Sequence, residues 1–339
     1  MLYSISHIGN VAFAKSGFSW NADLDSIFSI LSKRFDNFNG NGFYAHPDEV
    51  QLRSELARVP TLAHLTEGVR GLRANGIVLH DLGLAGLPEE RRNAALYALT
   101  LMLGYPTSTD QRTGRVAWDV RAKPAAVGGS RFTTFSERVG SADMHTDSSF
   151  YPMPEEQFIL YVVNAARCGG GLSLVVDAAD IYTELQRTPG GRAAFDLLST
   201  TPVPFRVPAV YAAGEDNVEV FVAPVFGPVT RPRDRYSVQP APRFTMRWRY
   251  DSIVKGLDAR PDLDTPALRD AVERMNEAAE RGAARFSEQL PTDSLMLVDN
   301  HYTLHGRTTY TDEQRHLIRI RISDVPNAER IGPSGVARD

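Results

Sequence analysis

Residues 141–150 read SADMHTDSSF, with His145 and Asp147 two apart among small polar residues. On a strand, side chains at i and i+2 leave the same face, so this pair would offer an imidazole and a carboxylate to one ion. Two histidines and one carboxylate on one face of a first-row metal leave its remaining positions open for chemistry. The plain alternative is a surface loop that holds a His and an Asp. A second His-x-Asp triplet, His46–Asp48, has proline between its members and sits in a polar stretch, which does not suit a regular strand.

A further imidazole is available in VDNHYTLHGRT, which carries His301 and His305. The segment RHLIRIRIS follows, and its alternation is clean. Arg315, Leu317, Arg319 and Arg321 fall on one face; His316, Ile318, Ile320 and Ile322 fall on the other. One reading is an amphipathic strand with isoleucines in the core and arginines in water. The other is an arginine face lining an anion-binding cavity, since the planar guanidinium pairs bidentately with a carboxylate. The stretch CGGGLSLVVD reads as a Gly-rich turn entering a strand, with Ser173 placed to donate a hydrogen bond into such a cavity.

Several elements must position these groups. A helix is expected over Leu24–Phe35, then a Gly/Asn-rich loop (NFNGNGF), a short apolar strand (GIVLHDLGL, 76–84) and a helix in PEERRNAALYALTLMLG that opens on Pro88 and closes on Gly104. Residues 115–240 are strand-rich (FILYVV, LSLVV, VEVFVAPVF), interrupted by a helical insert, DIYTELQR. Thr265 reads as an N-cap with Pro266 behind it, and Leu268, Val272, Met275, Ala279, Ala283, Phe286 and Leu290 recur at helical spacing. SLMLVD and RHLIRIRIS return to strand, and the last dozen residues read as a tail. Helices concentrated early, with irregular connections between strands, predict a mainly β core with packed helices (α+β) and no βαβ units.

The chain of 339 residues is expected to form one domain: an accessory segment over 1–60, a core over 70–323 and a tail over 326–339. A net charge of −4 and the lack of any Lys/Arg run argue against nucleic acid or an anionic membrane as partner. The single cysteine, Cys168, suits a reducing compartment, and with no apolar span and no basic leader the expected location is cytoplasmic.

Taken together and in order, HTD followed by SSF, the GGLS turn, DNHYTLHGR and the terminal R-x-x-x-R strand resemble the Fe(II)/2-oxoglutarate-dependent dioxygenases of the taurine dioxygenase and clavaminate synthase type. The resemblance runs from about GIVLHDL to RIRIS, most of the chain. It implies a double-stranded β-helix (jelly-roll) core. It implies that His145, Asp147 and His305 bind iron, and that Arg315 holds the distal carboxylate of 2-oxoglutarate. Arg319 would then sit nearer the metal, beside the other cosubstrate carboxylate or the substrate, and Ser173 would stand where relatives have a cosubstrate-holding threonine. Many relatives have arginine at the place of His301, so this chain carries a second histidine near the ligand strand; the HGR sequence favours His305. The implied reaction couples O2 and oxidative decarboxylation of 2-oxoglutarate to oxidation of a substrate C–H bond. Because Asp147 is present where related halogenases have a small residue, hydroxylation is favoured over chlorination.

The expected substrate is a small amino-acid-like molecule in a biosynthetic pathway, with Ser141 and Phe150 at substrate-facing positions of the family. Arg319, Arg307, Arg121, Arg138, Arg247 and Arg249 are further candidates for a substrate carboxylate. Desaturation or cyclisation, a sulfonate, a carrier-protein-bound amino acid and a homo-oligomeric state stay open. So do two other classes: a jelly-roll hydrolase or isomerase using another divalent metal, and a non-catalytic ligand-binding protein.

Overall fold

The computed structural model describes residues 2–17, 19–20, 23–35, 43, 45–108, 114–122, 138–208, 218–228 and 244–330. A hairpin, β1 (Leu2–Ile8) and β2 (Val11–Ser16), leads into helices α1 (Leu24–Ser32), α2 (Glu49–Leu56) and α3 (Pro60–Leu72). Then come β3 (Gly76–His80), α4 (Glu89–Leu103), β4 (Tyr105–Pro106), β5 (Ala117–Arg121), β6 (Ala142–His145), β7 (Gln157–Asn164) and β8 (Ser173–Asp177). Helices α5 (Ala178–Gln186) and α6 (Pro189–Thr200) precede β9 (Val203–Arg206), β10 (Val220–Ala223), β11 (Phe226–Gly227) and β12 (Thr245–Met246). Helices α7 (Tyr250–Ala259) and α8 (Pro266–Ala283) lead to β13 (Ser287–Glu288), β14 (Leu295–Asp299), β15 (Thr303–Arg307) and β16 (His316–Ser323).

Two sheets face one another. The larger has eight strands in the order β1-β2-β3-β14-β7-β16-β4, with β5 also on β16; the smaller has four, β13-β8-β15-β6. Side-chain alternation divides the large sheet cleanly. Ile77, Leu79, Ile159, Tyr161, Leu295, Leu297, Ile318, Ile320 and Ile322 face outward into a core shared with α1–α4. Val78, Phe158, Val162, Met296, Val298 and Leu317 face inward toward Val175 of the small sheet. Each fully buried isoleucine of β16 contributes on the order of 1.5–3 kcal/mol. The outer face of the small sheet, with Met144, Val176 and Leu304, is covered by α5–α8. The result is the expected α+β jelly-roll, two β layers sandwiched between helices.

Some local expectations differ from what forms. The first helix stops at Ser32, and Phe35 packs edge-on to Phe43 and Tyr97 instead of continuing it. Thr265 does cap α8, accepting from the Leu268 N–H at 3.2 Å, yet that helix ends at Ala283. Phe286 and Leu290 continue the helical spacing only by coincidence: they enter the space between the sheets, where Ser287 and Glu288 pair with β8. Helices are not concentrated early, since α5–α8 all follow residue 177. Within the stretch expected as a tail, Asn327 and Arg330 are buried; Asn327 donates to Glu49 (2.5 and 2.7 Å) and Arg330 to Ser323 Oγ (2.7 Å). Residues 331–339, and most of the NFNGNGF loop, lie outside the described residues. Among the described residues no helix is long and apolar enough to cross a membrane.

Candidate active site

β6 and β15 pair antiparallel, with His145 directly opposite His305. That register brings the two rings together, tilted by 43° with 4.2 Å between centroids, and Phe158 of the large sheet supports His305 at 4.3 Å. Close approach of the two strands requires Gly306: a Cβ there would lie 2.7 Å from the Met144 sulfur and 2.9 Å from the Ala142 carbonyl oxygen. Asp147 was expected on the same strand as His145. The strand in fact ends at His145, and Asp147 occupies the first turn beyond it. Extended pairing with Trp248 and Arg249 still carries the chain straight through Thr146, so the carboxylate returns to the histidine face. One ligand-capable atom from each of His145, Asp147 and His305 lies within 4.8 Å of the others, and all three residues are buried. Among the described residues this is the one such group of three.

The electrostatics suit a cation. His145 Nδ1 donates to the Asp143 carbonyl at 2.8 Å; because a carbonyl only accepts, Nε2 carries the lone pair, 3.9 Å from Asp147 Oδ1. Burial lowers the His145 imidazole to about 4, against the pull of Asp147. Burial, with His145 as neighbour, also holds His305 well below its ordinary value. Both rings are therefore neutral at neutral pH, the form that metal ligation needs. For Asp147, burial favours the neutral form, but the guanidiniums of Arg319 and Arg321 override it and keep the carboxyl well below the usual carboxylate range. Arg319 Nη1 donates to Oδ1 at 3.0 Å; Arg321 donates to Oδ2 at 3.2 Å through Nε and to Oδ1 at 3.4 Å through Nη2. A carboxylate has about four acceptor sites; with two taken on Oδ1 and one on Oδ2, one lone pair of Oδ2 remains for a metal.

The arginine face of β16 points inward. Arg315, Arg319 and Arg321 are 4–6% exposed, which overturns the reading of this strand as arginines in water. Arg315 and Arg319 line a cavity between the sheets with His145, His305, Ser173 and Arg307. Arg315 packs over the Tyr310 ring, 5.0 Å from its centroid. Gly171, at φ +75°, leaves room for it: a Cβ there would lie 3.2 Å from Arg315 Nε. Burial lowers the Arg315 guanidinium to about 10, which leaves it charged at neutral pH. The buried polar atoms that have no hydrogen-bond partner among the described residues include His305 Nδ1 and Arg315 Nη1. An orphaned imidazole nitrogen and an orphaned guanidinium nitrogen in one cavity fit a metal and an anion.

The remaining candidates, Arg307 apart, fall outside the cavity lining. His301 Nε2 donates to the Pro154 carbonyl at 3.0 Å and takes no part in the triad. His46 Nε2 donates to the Arg34 carbonyl at 3.1 Å, and Asp48 begins α2. Ser141 is exposed just before β6, while Phe150 is buried against Tyr151 and beneath Arg249. Arg307 turns into the cavity wall and donates to the Gly140 carbonyl (3.2 and 3.0 Å). Arg247 is inserted among the carbonyls of Ser149, Tyr151 and Pro152, and Arg249 pairs with Asp251 at 2.9 Å. Arg121 and Arg138 are exposed. Sequence reasoning assigned no role to Arg321, Asn300 or Glu155, all of which contact the Asp147 loop. Asn300 lay inside a quoted motif, but nothing in the sequence pairs it with Asp147.

The sequence profile described as "Taurine catabolism dioxygenase TauD, TfdA family" matches residues 56–321. No curated protein matches the chain by sequence. Among solved structures, the chain is similar to an asparagine oxygenase in complex with Fe(II), (2S,3S)-3-hydroxyasparagine and succinate: TM-score 0.65, 17% identity, covering 92% of this chain and 93% of that one. It is also similar to the non-heme iron oxygenase OrfP in complex with Fe, succinate and (3R,4R)-dihydroxy-L-Arg: TM-score 0.62, 14% identity, covering 96% and 98%. At such identities the likeness speaks for the fold; the profile match, over most of the chain, speaks for kinship, and the clustered triad beside a buried guanidinium agrees with both. The chain belongs to the TauD/TfdA family of dioxygenases and is an Fe(II)- and 2-oxoglutarate-dependent oxygenase.

Proposed function

We propose that this enzyme hydroxylates an unactivated C–H bond of a small amino-acid-like substrate. His145, Asp147 and His305 hold the iron, and Arg315, with the Ser173 hydroxyl, anchors the distal carboxylate of 2-oxoglutarate. The observation that carries the reading is the convergence of the three ligand-capable atoms within 4.8 Å, with the two histidines opening into the same cavity as the orphaned Arg315 Nη1. When bound, the iron with 2-oxoglutarate and O2 supplies an oxidant for the C–H bond. The chain does the rest. Neutral His145 and His305 and ionised Asp147 offer lone pairs without prior loss of a proton. The inner face of the large sheet brings Val120, Leu160 and Leu317 around the site and excludes water. Arg319, between Asp147 and the cavity, supplies fixed positive charge for a second carboxylate, from the cosubstrate or the substrate.

An amino-acid class is supported by the relatives of like fold, whose structures hold hydroxylated asparagine and arginine. Hydroxylation over chlorination is supported by the retained carboxylate of Asp147. A panel of L-amino acids, sulfonates and carrier-tethered aminoacyl groups, scored by succinate release, tests this. The expected outcome is substrate-dependent succinate with a free amino acid and hydroxylated product by mass, lost in His145→Ala. Succinate coupled only to sulfonates or tethered acyl groups would contradict the substrate class, and metal-dependent turnover without O2 consumption would contradict the reaction.

A further inference from the structure

The two halves of the triad are held differently. His145 and His305 sit on paired strands, where the backbone ladder fixes their register. Asp147 lies past the end of β6 and has no ladder. Two guanidiniums of the opposite sheet pull on its carboxylate. Something must hold the backbone of this turn against that pull.

Two buried side chains do so. Asn300, 1% exposed and just ahead of the strand that carries His305, accepts from the Asp147 N–H at 2.7 Å and donates to the Asp147 carbonyl at 3.1 Å. Its second amide hydrogen goes to the Glu155 carbonyl at 2.8 Å. The residue after Asp147, Ser148, adopts φ +56°, a left-handed conformation that non-glycine residues adopt only when their surroundings enforce it. The enforcement is visible. Ser148 Oγ donates to Glu155 Oε2 at 2.5 Å, and the Tyr151 N–H closes the turn on the Ser148 carbonyl at 2.9 Å. Glu155 is completely buried and is itself fixed from outside the turn, by Thr107 Oγ1 (3.0 Å) and by the Arg330 guanidinium (3.7 Å).

We propose that Asn300 and Glu155 are positioning residues for the metal. Asn300 fixes both backbone groups of Asp147, and Glu155 clamps Ser148 in the left-handed turn that aims the Asp147 carboxylate at the histidine pair. The inference rests on the reading of His145, Asp147 and His305 as the ligand set. An apolar side chain at 300 would fill the volume but leave a buried N–H and a buried C=O unpaired at the ligand itself. Metal ligands held by such outer partners lose roughly 10–100-fold in metal affinity when a partner is removed.

The test is anaerobic titration of the full-length protein with Co(II), followed by its visible absorption, beside thermal unfolding of the metal-free form. Ser148→Ala keeps the fold-bearing partners and removes only the clamp; Asn300→Asp removes two donors and sets a like charge beside Asp147. Both are expected to bind Co(II) about 10–100-fold more weakly, with a changed absorption envelope. His301→Phe, beside Asn300 but outside the frame, is expected to bind as wild type does. Should Asn300→Asp fail to fold, Ser148→Ala alone decides. Wild-type affinity and spectrum in Ser148→Ala, whatever its melting temperature, overturn the proposal. A wild-type protein that takes up no Co(II) or Fe(II) would instead overturn the ligand assignment.

Discussion

The two walls of the cavity are built on opposite principles. The wall that carries Arg315, Arg319 and Arg321 is a single strand, β16, paired along its length with β7 on one side and with β5 and β4 on the other, and backed by an isoleucine core. The wall that carries His145, Asp147 and His305 is built on the short strands β6 and β15, whose mutual register is irregular between His305 and Arg307 although β15 pairs evenly with β8, and its carboxylate lies beyond the strand end. Fixed positive charge sits on one long strand with partners on both edges, and the His–Asp–His group sits on two short strands and the turn that follows one of them. Regular backbone suffices for long arginines whose guanidiniums find their own partners. Three short side chains meet at one point only if they come from different directions: the ladder brings His145 and His305 together, and the turn beyond β6 adds Asp147.

Mutations can break this contrast. The largest effect is expected on the ligand wall. His305→Ala or Asp147→Ala should lower metal affinity by more than the roughly 10–100-fold that an outer partner is worth, and remove turnover; isothermal titration with Fe(II) under nitrogen checks it. On the arginine wall, Arg315→Ala should leave metal affinity near wild type but raise the half-saturating 2-oxoglutarate concentration by about 10–100-fold, the equivalent of one charge-assisted contact. An unchanged cosubstrate requirement would transfer the anchor to Arg319.

A third prediction concerns pH and the far end of the ligand sheet. Asp177 ends β8, caps α5 by accepting from the Ala179 N–H at 2.7 Å and receives a hydrogen bond from Asn75. Burial pushes its carboxyl up from 3.8 to about 7. The native chain then holds a proton that the unfolded chain has released, so stability from this group is full below about pH 4 and is lost as pH rises through 7. Asp177→Asn should gain on wild type between pH 5 and pH 8, read from urea midpoints; parallel pH profiles would contradict it. The smallest effect is expected behind that sheet, where Thr265→Ala removes the cap of α8 and should lower stability by about 1 kcal/mol without changing metal affinity.

Much of the arginine wall was legible from the chain alone, because period-two alternation is a local property: Ile318, Ile320 and Ile322 against Arg319 and Arg321. What alternation could not decide was whether the polar face met water or a second sheet, since that depends on partners far away in sequence. The His–Asp–His cluster was legible as residue types. Its geometry was only partly so, because a strand through His145 and Asp147 gives the right face by a simpler route than the turn that forms. The choice of His305 over His301 lay in strand register, which pairs His305 with His145 and turns His301 toward Pro154. The frame around Asp147 was illegible, since Asn300 lies 153 residues away and contributes only through side-chain contacts. The end of α8 was missed for a different reason: Phe286 and Leu290 are core residues at helical spacing whether or not the helix continues.

The central claim is that three side chains of one wall hold a ferrous ion within reach of a cosubstrate anchored by the other. Anaerobic addition of 2-oxoglutarate to the Fe(II)-loaded protein, followed by visible absorption, tests it most directly. The account predicts a charge-transfer band that saturates with cosubstrate in wild type, is lost in Asp147→Ala and needs far more 2-oxoglutarate in Arg315→Ala. A wild-type protein that binds Fe(II) yet gives no such band at any 2-oxoglutarate concentration would contradict it.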